Sequence, residues 1–216
     1  MKCSVVSFFL LFELISSVSV AEPRGVAKIV LTKDGRLGPE YQFTIPKQYL
    51  APRIAGQLSL RDSATVESLY LILTRNDLPK FESQPGHAPT STTAPIHLFL
   101  RLATQPQQRD SGQWRFERAL EDARRRGVAP QGKLMLVDGR QIAVYQLRGA
   151  LPQTLYRFQS GTRNAVFVDC LGFACRGFRT WNADVVVDYR YPSDWQDRVT
   201  EIDAAIEALV ASFRDG

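Results

Sequence analysis

Apolar residues along most of this chain recur at every second position, the period of a strand with one face toward a core. Ala27 to Thr32 and Tyr41 to Ile45 read as strands linked through Asp34, Gly35, Gly38 and Pro39, and Pro46 closes the second. Val66 to Thr74 sets Leu69, Leu71 and Leu73 on one face and Tyr70 and Ile72 on the other, which predicts a central strand buried on both sides. Ile96, Leu98, Leu100 and Leu102 alternate with His97, Phe99 and Arg101, one apolar face backed by a mixed one. Lys133 to Val137 and Arg140 to Leu147 flank Asp138-Gly139, a two-residue hairpin signal, since both turn positions require positive φ. Leu155 to Phe158, Ala165 to Cys170, Arg176 to Trp181 and Asp184 to Tyr191 continue the series, with Val185, Val187, Tyr189 and Tyr191 on one face of the last. Strands joined by short turns predict an antiparallel meander.

The period changes twice. Gly112 to Gly127 is helical, with Trp114, Leu120 and Ala123 set among charged residues and Gly127 as its stop. Its three arginines, Arg124 to Arg126, fit either a phosphate-binding patch or plain electrostatic capping of the helix end, and the second is favoured. From Asp194 to Phe213 the residues Trp195, Val199, Ile202, Ile206, Leu209 and Phe213 form one stripe, with Asp197, Arg198, Glu201, Asp203 and Glu207 elsewhere. Ser193 with Gln196 three residues on predicts a capping box at the start of this helix. The expected fold is α+β: a largely antiparallel, curved or split sheet with the C-terminal amphipathic helix packed on one face.

Residues 1–21 read as a cleavable export signal, with Lys2, an apolar stretch from Val5 to Ile15, and small residues leading to Ser19 and Ala21. That stretch falls well short of a membrane span and Glu13 interrupts it, so cleavage is expected and stable membrane insertion is not. Residues 22–216 are then expected to form one α+β domain in the periplasm. Leu78 to Pro95, with Pro79, Pro85, Pro89, Pro95 and Gly86, reads as a long surface loop carrying His87. The whole chain of 216 residues is 44% hydrophobic and 23% charged with a formal net charge of +5, an ordinary globular balance. Export and this modest charge disfavour a nucleic-acid partner.

Cys3 leaves with the leader, and Cys170 and Cys175 remain, with four residues between them, in a compartment where disulfides persist. A bond across a short hairpin is the expected reading, shaping a loop more than holding up the fold. A redox pair is the alternative, but redox motifs usually set two residues between the cysteines. With His87 and His97 distant from them, no metal site is expected, and no glycine signature for a nucleotide occurs, so no cofactor is expected.

A serine hydrolase lacks its nucleophile motif, and His97 reads as a half-exposed strand residue. Glu117, Glu121, Asp122, Asp169, Asp184 and Asp188 supply carboxylates for a hydrolase but cannot be paired from sequence; Asp184 and Asp188 share a strand face with Val186 and Arg190, which an ion-paired surface would also explain. The chain reads as a binder without catalytic activity.

A disulfide hairpin, a strand, the run Tyr191-Pro192-Ser193-Asp194-Trp195 and a helix ending in Ser212-Phe213 together resemble the C-terminal part of small exported Gram-negative proteins, among them periplasmic immunity proteins against type VI secretion effectors. Phe43-Thr44-Ile45-Pro46 with Tyr49-Leu50 is similar as well, and the likeness spans about a quarter of the chain. It implies a protein that neutralises a toxin by blocking its active site. The inserted element would come from the proline-rich loop with His87 or from the hairpin Leu171 to Ala174, where Phe173 is an anchor or, equally, a buried loop residue and Leu171 flanks it. An envelope accessory or assembly protein, and a small carboxylate-dependent hydrolase, are the rival readings; oligomeric state is open.

Overall fold

A computed structural model describes residues 25–32, 40–52, 55, 63–78, 94–103, 111–137, 139–148, 151–182 and 184–214. Among these residues eleven strands fall into two sheets. In chain order they are β1 (Val26–Leu31), β2 (Tyr41–Pro46), β3 (Ser63–Val66), β4 (Ser68–Leu73), β5 (Ile96–Leu102), β6 (Gln131–Val137), β7 (Arg140–Leu147), β8 (Gln153–Gln159), β9 (Ala165–Leu171), β10 (Ala174–Trp181) and β11 (Val185–Pro192). The large sheet runs β4-β5-β11-β10-β9-β8-β7-β6, antiparallel at every step, so β6 to β11 form the expected meander. The small sheet runs β2-β1-β3, with β3 parallel to β1. Helix α1 (Ser111–Arg125) lies against β8, β9 and β10 on one face, and helix α2 (Val199–Arg214) is buried with the small sheet in the core on the other. The fold is α+β, a split antiparallel sheet with the C-terminal helix packed against it.

Strand alternation decides which side each residue serves. Val185, Val187, Tyr189 and Tyr191 of β11 stand in register with Trp181, Arg179, Gly177 and Cys175 of β10 and, through β5, with Leu102, Leu100 and Leu98. This inner face meets Ile29, Phe43 and Ile45 of the small sheet and Val199, Ile202, Ile206, Leu209 and Phe213 of α2, all buried in one cluster. Gly177 belongs here for lack of a side chain: the ring of Tyr189 crosses it so closely that a Cβ would sit 2.1 Å from Cζ. At the end of α1, Gly127 takes φ 71, the left-handed conformation that closes a helix.

Three sequence expectations are corrected. Val66 is not part of the strand that follows; it belongs to β3, a bend at Glu67 separates the two, and they pair in different sheets. β4 is an edge strand, touched beyond its free side by an isolated bridge from Leu50 to Leu71; Leu69, Leu71 and Leu73 are buried while Tyr70 and Ile72 are half-exposed. Alternating apolar residues on both faces cannot by themselves distinguish a central strand from an edge strand whose outer face carries aromatic surface. The third correction is at the last helix, where Ser193–Arg198 is a 3-10 segment whose residue Trp195 leaves helical geometry (φ −106, ψ 16), and no side chain caps it. Trp195 is drawn into the core, stacked 6.5 Å from Tyr191, while the Ser193 amide donates to the Phe173 carbonyl at 3.1 Å. The amide of Ser193 ties this segment to the disulfide hairpin, and the α-helix begins at Val199.

Asp203 lies outside the apolar stripe and yet inside the core. It is fully buried and receives Arg179 Nη1 at 3.0 Å and Tyr189 Oη at 2.9 Å. Arg179, equally buried, also reaches Glu207 at 2.8 Å and Thr162 at 3.1 Å. The register of β10 carries Arg179 into the inner face, and α2 lays two acids, one turn apart, over it.

Candidate partner-binding face

The outer face of the large sheet is only half covered. Over β7 to β10, α1 buries Phe116 and Ala123 against Leu147, Leu155, Phe167 and Phe178 in a second, smaller core. Beyond the helix, the outward residues of β4, β5, β11 and the far ends of β9 and β10 line an open groove of about 510 Å³. Its floor is an aromatic shelf in which Tyr70 stacks on Phe99 at 4.4 Å and on His97 at 5.7 Å. The shelf follows from register, because β4 and β5 set Tyr70 opposite Phe99 and Ile72 opposite His97.

Charged residues rim the shelf. Arg176 clasps Asp188 across β10 and β11, with Nε 2.9 Å from Oδ1 and Nη2 bound to the other oxygen, and its guanidinium also covers Phe178 at 4.7 Å. Arg115 of α1 lies on the same ring at 4.7 Å, so Phe178 touches two cations. Arg190, in register with His97, is exposed and makes no ion pair among the described residues. Burial, and secondarily Arg190, hold the His97 imidazole below its ordinary range, so it is neutral at pH 7. The Tyr70 hydroxyl and His97 Nδ1 are hydrogen bonded to each other. Burial lifts the Asp169 carboxyl above the usual carboxylate range, against the opposing effects of its bond from Gln153 at 2.7 Å and of Arg126 and Arg176.

At the edge of the groove stands the hairpin of β9 and β10. Cys170 and Cys175 face each other and are bonded, with Cα atoms 4.0 Å apart, so the disulfide expected from the sequence is present. Outside it, Gly172 (φ 61) and Phe173 make a two-residue turn between the paired Leu171 and Ala174. Phe173 is 96% exposed, which removes the alternative that it is a buried loop residue, and Leu171 is 45% exposed. A second groove of about 480 Å³ runs beneath Phe173 and shares His97, Ala174 and Arg190 with the first. Leu171 and Phe173 therefore meet at one surface, whereas His87 lies outside the described residues.

His97 and Tyr70 were missed as members of this surface because strand pairing, not spacing, joins them; the alternation of His97 with Phe99 and Arg101 was the available hint. Of the carboxylates, Asp169 and Asp188 line the same groove, Asp188 paired with Arg176 and Asp169 taking a bond from Gln153, while Asp203 is sealed in the core. The face offers aromatic and guanidinium groups for recognition. Tyr, Phe and Arg on a partly apolar, rigid surface are the residues that carry most of the energy at protein interfaces.

No protein-family model matches the sequence, and no curated protein matches it. Among solved structures, the crystal structure of the Neisseria meningitidis iron-regulated outer membrane lipoprotein FrpD is similar at 11% identity with a TM-score of 0.38, covering 88% of this chain and 93% of that one.

Proposed function

We propose that this is an exported binding protein that neutralises a secreted antibacterial effector, seating the disulfide hairpin in the effector's active-site cleft with the arginine–aromatic face against its rim. The observation that carries the reading is Phe173, a large apolar side chain 96% exposed on a turn held by the Cys170–Cys175 bond. Presenting such a ring to water has no folding benefit, and a rigid turn loses little conformational entropy when it is inserted. The disulfide is compatible with export, since such bonds persist outside the reducing cytoplasm.

The test is to purify the tagged protein from the periplasm of its own host beside a Phe173→Ser variant and identify bound proteins by mass spectrometry. The expected result is one stoichiometric hydrolase-like partner, inhibited by the wild type and neither held nor inhibited by the variant. A partner held equally by both proteins moves the interface elsewhere. A constant structural complex supports the envelope accessory role instead.

A further inference from the structure

The large sheet ends at β6, and among the described residues no strand pairs with its outer side. Residues Gln131 to Leu136 are all exposed, with Leu134 at 74%, Leu136 at 73% and Met135 at 40%. Protein edges of this kind are usually blunted by charge, proline or a bulge. β6 carries one charge, Lys133, and pairs with β7 in unbroken register from Gln131 to Val137.

We infer that β6 is the seam of a homodimer, two copies pairing antiparallel about a twofold axis at Leu134 so that their large sheets become continuous. The hydrogen-bond phase points to that centre. In a two-residue hairpin the flanking pair, here Val137 and Arg140, is hydrogen bonded, so by alternation Met135, Lys133 and Gln131 also spend their backbone groups on β7. Gly132, Leu134 and Leu136 direct theirs outward. An axis at Leu134 pairs Leu134 with its own copy and Gly132 with Leu136, so every outward group of the three finds a partner.

Side chains agree with this register. Leu134 meets Leu134, and Leu136 crosses the partner strand at Gly132, where the only bulk is the ring of Tyr145, close enough that a Cβ at 132 would lie 2.6 Å from its Cε1. On the other face Lys133 opposes Met135 and Gln131 opposes Val137, so no like charges meet. An axis at Lys133 would set two lysines against each other, and one at Gly132 would oppose Leu134 with Pro130, which has no N–H to give. The strand is thus complementary to itself about Leu134, which favours a second copy over a foreign strand.

Sedimentation velocity of the purified protein from micromolar to submillimolar concentration should show the dimer mass. Leu134→Pro should give a monomer with an unchanged far-ultraviolet spectrum, because residue 134 makes no bond to β7 that proline would break. Leu134→Cys should cross-link to itself under mild oxidation, its two Cα atoms lying about 5.5 Å apart across the axis. Leu136→Cys should not, its copies being separated by about 13 Å along the seam. A monomer over the whole range overturns the inference and leaves the edge to a foreign strand. A dimer indifferent to Leu134→Pro, or cross-linked through residue 136 and not 134, overturns it as well.

Discussion

The two faces of the large sheet are built from the same strands and do opposite work. The inner face is closed: α2 and the small sheet cover it, and the fully buried cation of β10, Arg179, meets Asp203, Glu207 and Thr162. The outer face is closed over β7 to β10 by α1 and left open over β4, β5 and β11, where Tyr70, Phe99 and Arg190 meet water, with Arg176 lying on Phe178 at the rim. Burial explains the contrast. A charge inside the sandwich must be matched at once or its desolvation would unfold the protein, whereas a charge on the open half costs little and stays available to a partner.

Breaking the inner face should cost most. Ile206→Asp places an unpaired charge at a fully buried position of α2, and a loss of about 4 kcal/mol or more in denaturant unfolding is expected. An unchanged midpoint would show that the helix stripe is not in the core. Next comes Arg179→Met, which strands Asp203 as a buried carboxylate and should cost about 3 kcal/mol. Adding Asp203→Asn should return much of that loss, because a neutral amide has no charge to desolvate; a further loss instead would mean that the hydrogen bonds, not the charges, carry the network. Glu207 adds a pH signature. Burial pushes its carboxyl up, but the bond and charge of Arg179 outweigh this and hold it below 4.5. Its share of stability is therefore present above that value and is lost as pH falls through the lower folded value, and Glu207→Gln should flatten that part of the stability curve.

The hairpin belongs to both faces, since its disulfide points inward and its tip outward. Replacing Cys170 and Cys175 together with serine should cost about 2 kcal/mol, the low end for so small a ring. Finding free thiols by mass in protein isolated without reductant would remove the bond altogether. Phe173→Ser should change stability by less than about 0.5 kcal/mol, since the ring is already in water. The smallest effect belongs to His97. Proton NMR should show it titrating below 6.5, and Arg190→Gln should raise the value without restoring it, because burial is the larger cause. A return to 6.5 would make the neighbouring charge dominant and the shelf less buried than described.

Much of this architecture could be read from local pattern. Alternation located the strands, Asp138-Gly139 marked a hairpin whose flanking residues pair as expected, and the stripe from Trp195 to Phe213 is buried throughout. Those features depend on neighbours in sequence, where period and turn chemistry act directly. The disulfide was legible for the same reason, since only four residues lie between its ends.

What local pattern could not supply was strand order. Whether Val66 joins β4 or β3, whether β4 is central or at an edge, and which rings meet Tyr70 depend on pairings between segments distant along the chain. The start of α2 was misjudged because the pull of Trp195 into the core outweighed a capping box worth about 1 kcal/mol. The burial of Asp203 could not be read because helical period records which way a residue points but not whether an arginine waits there. Sequence alone settled most of the elements, the hairpin turns and the apolar stripe, because these are governed by interactions a few residues long; only the tertiary structure brought together the Arg179 network and the open arginine–aromatic face, because both arise from contacts between strands that sequence proximity does not encode.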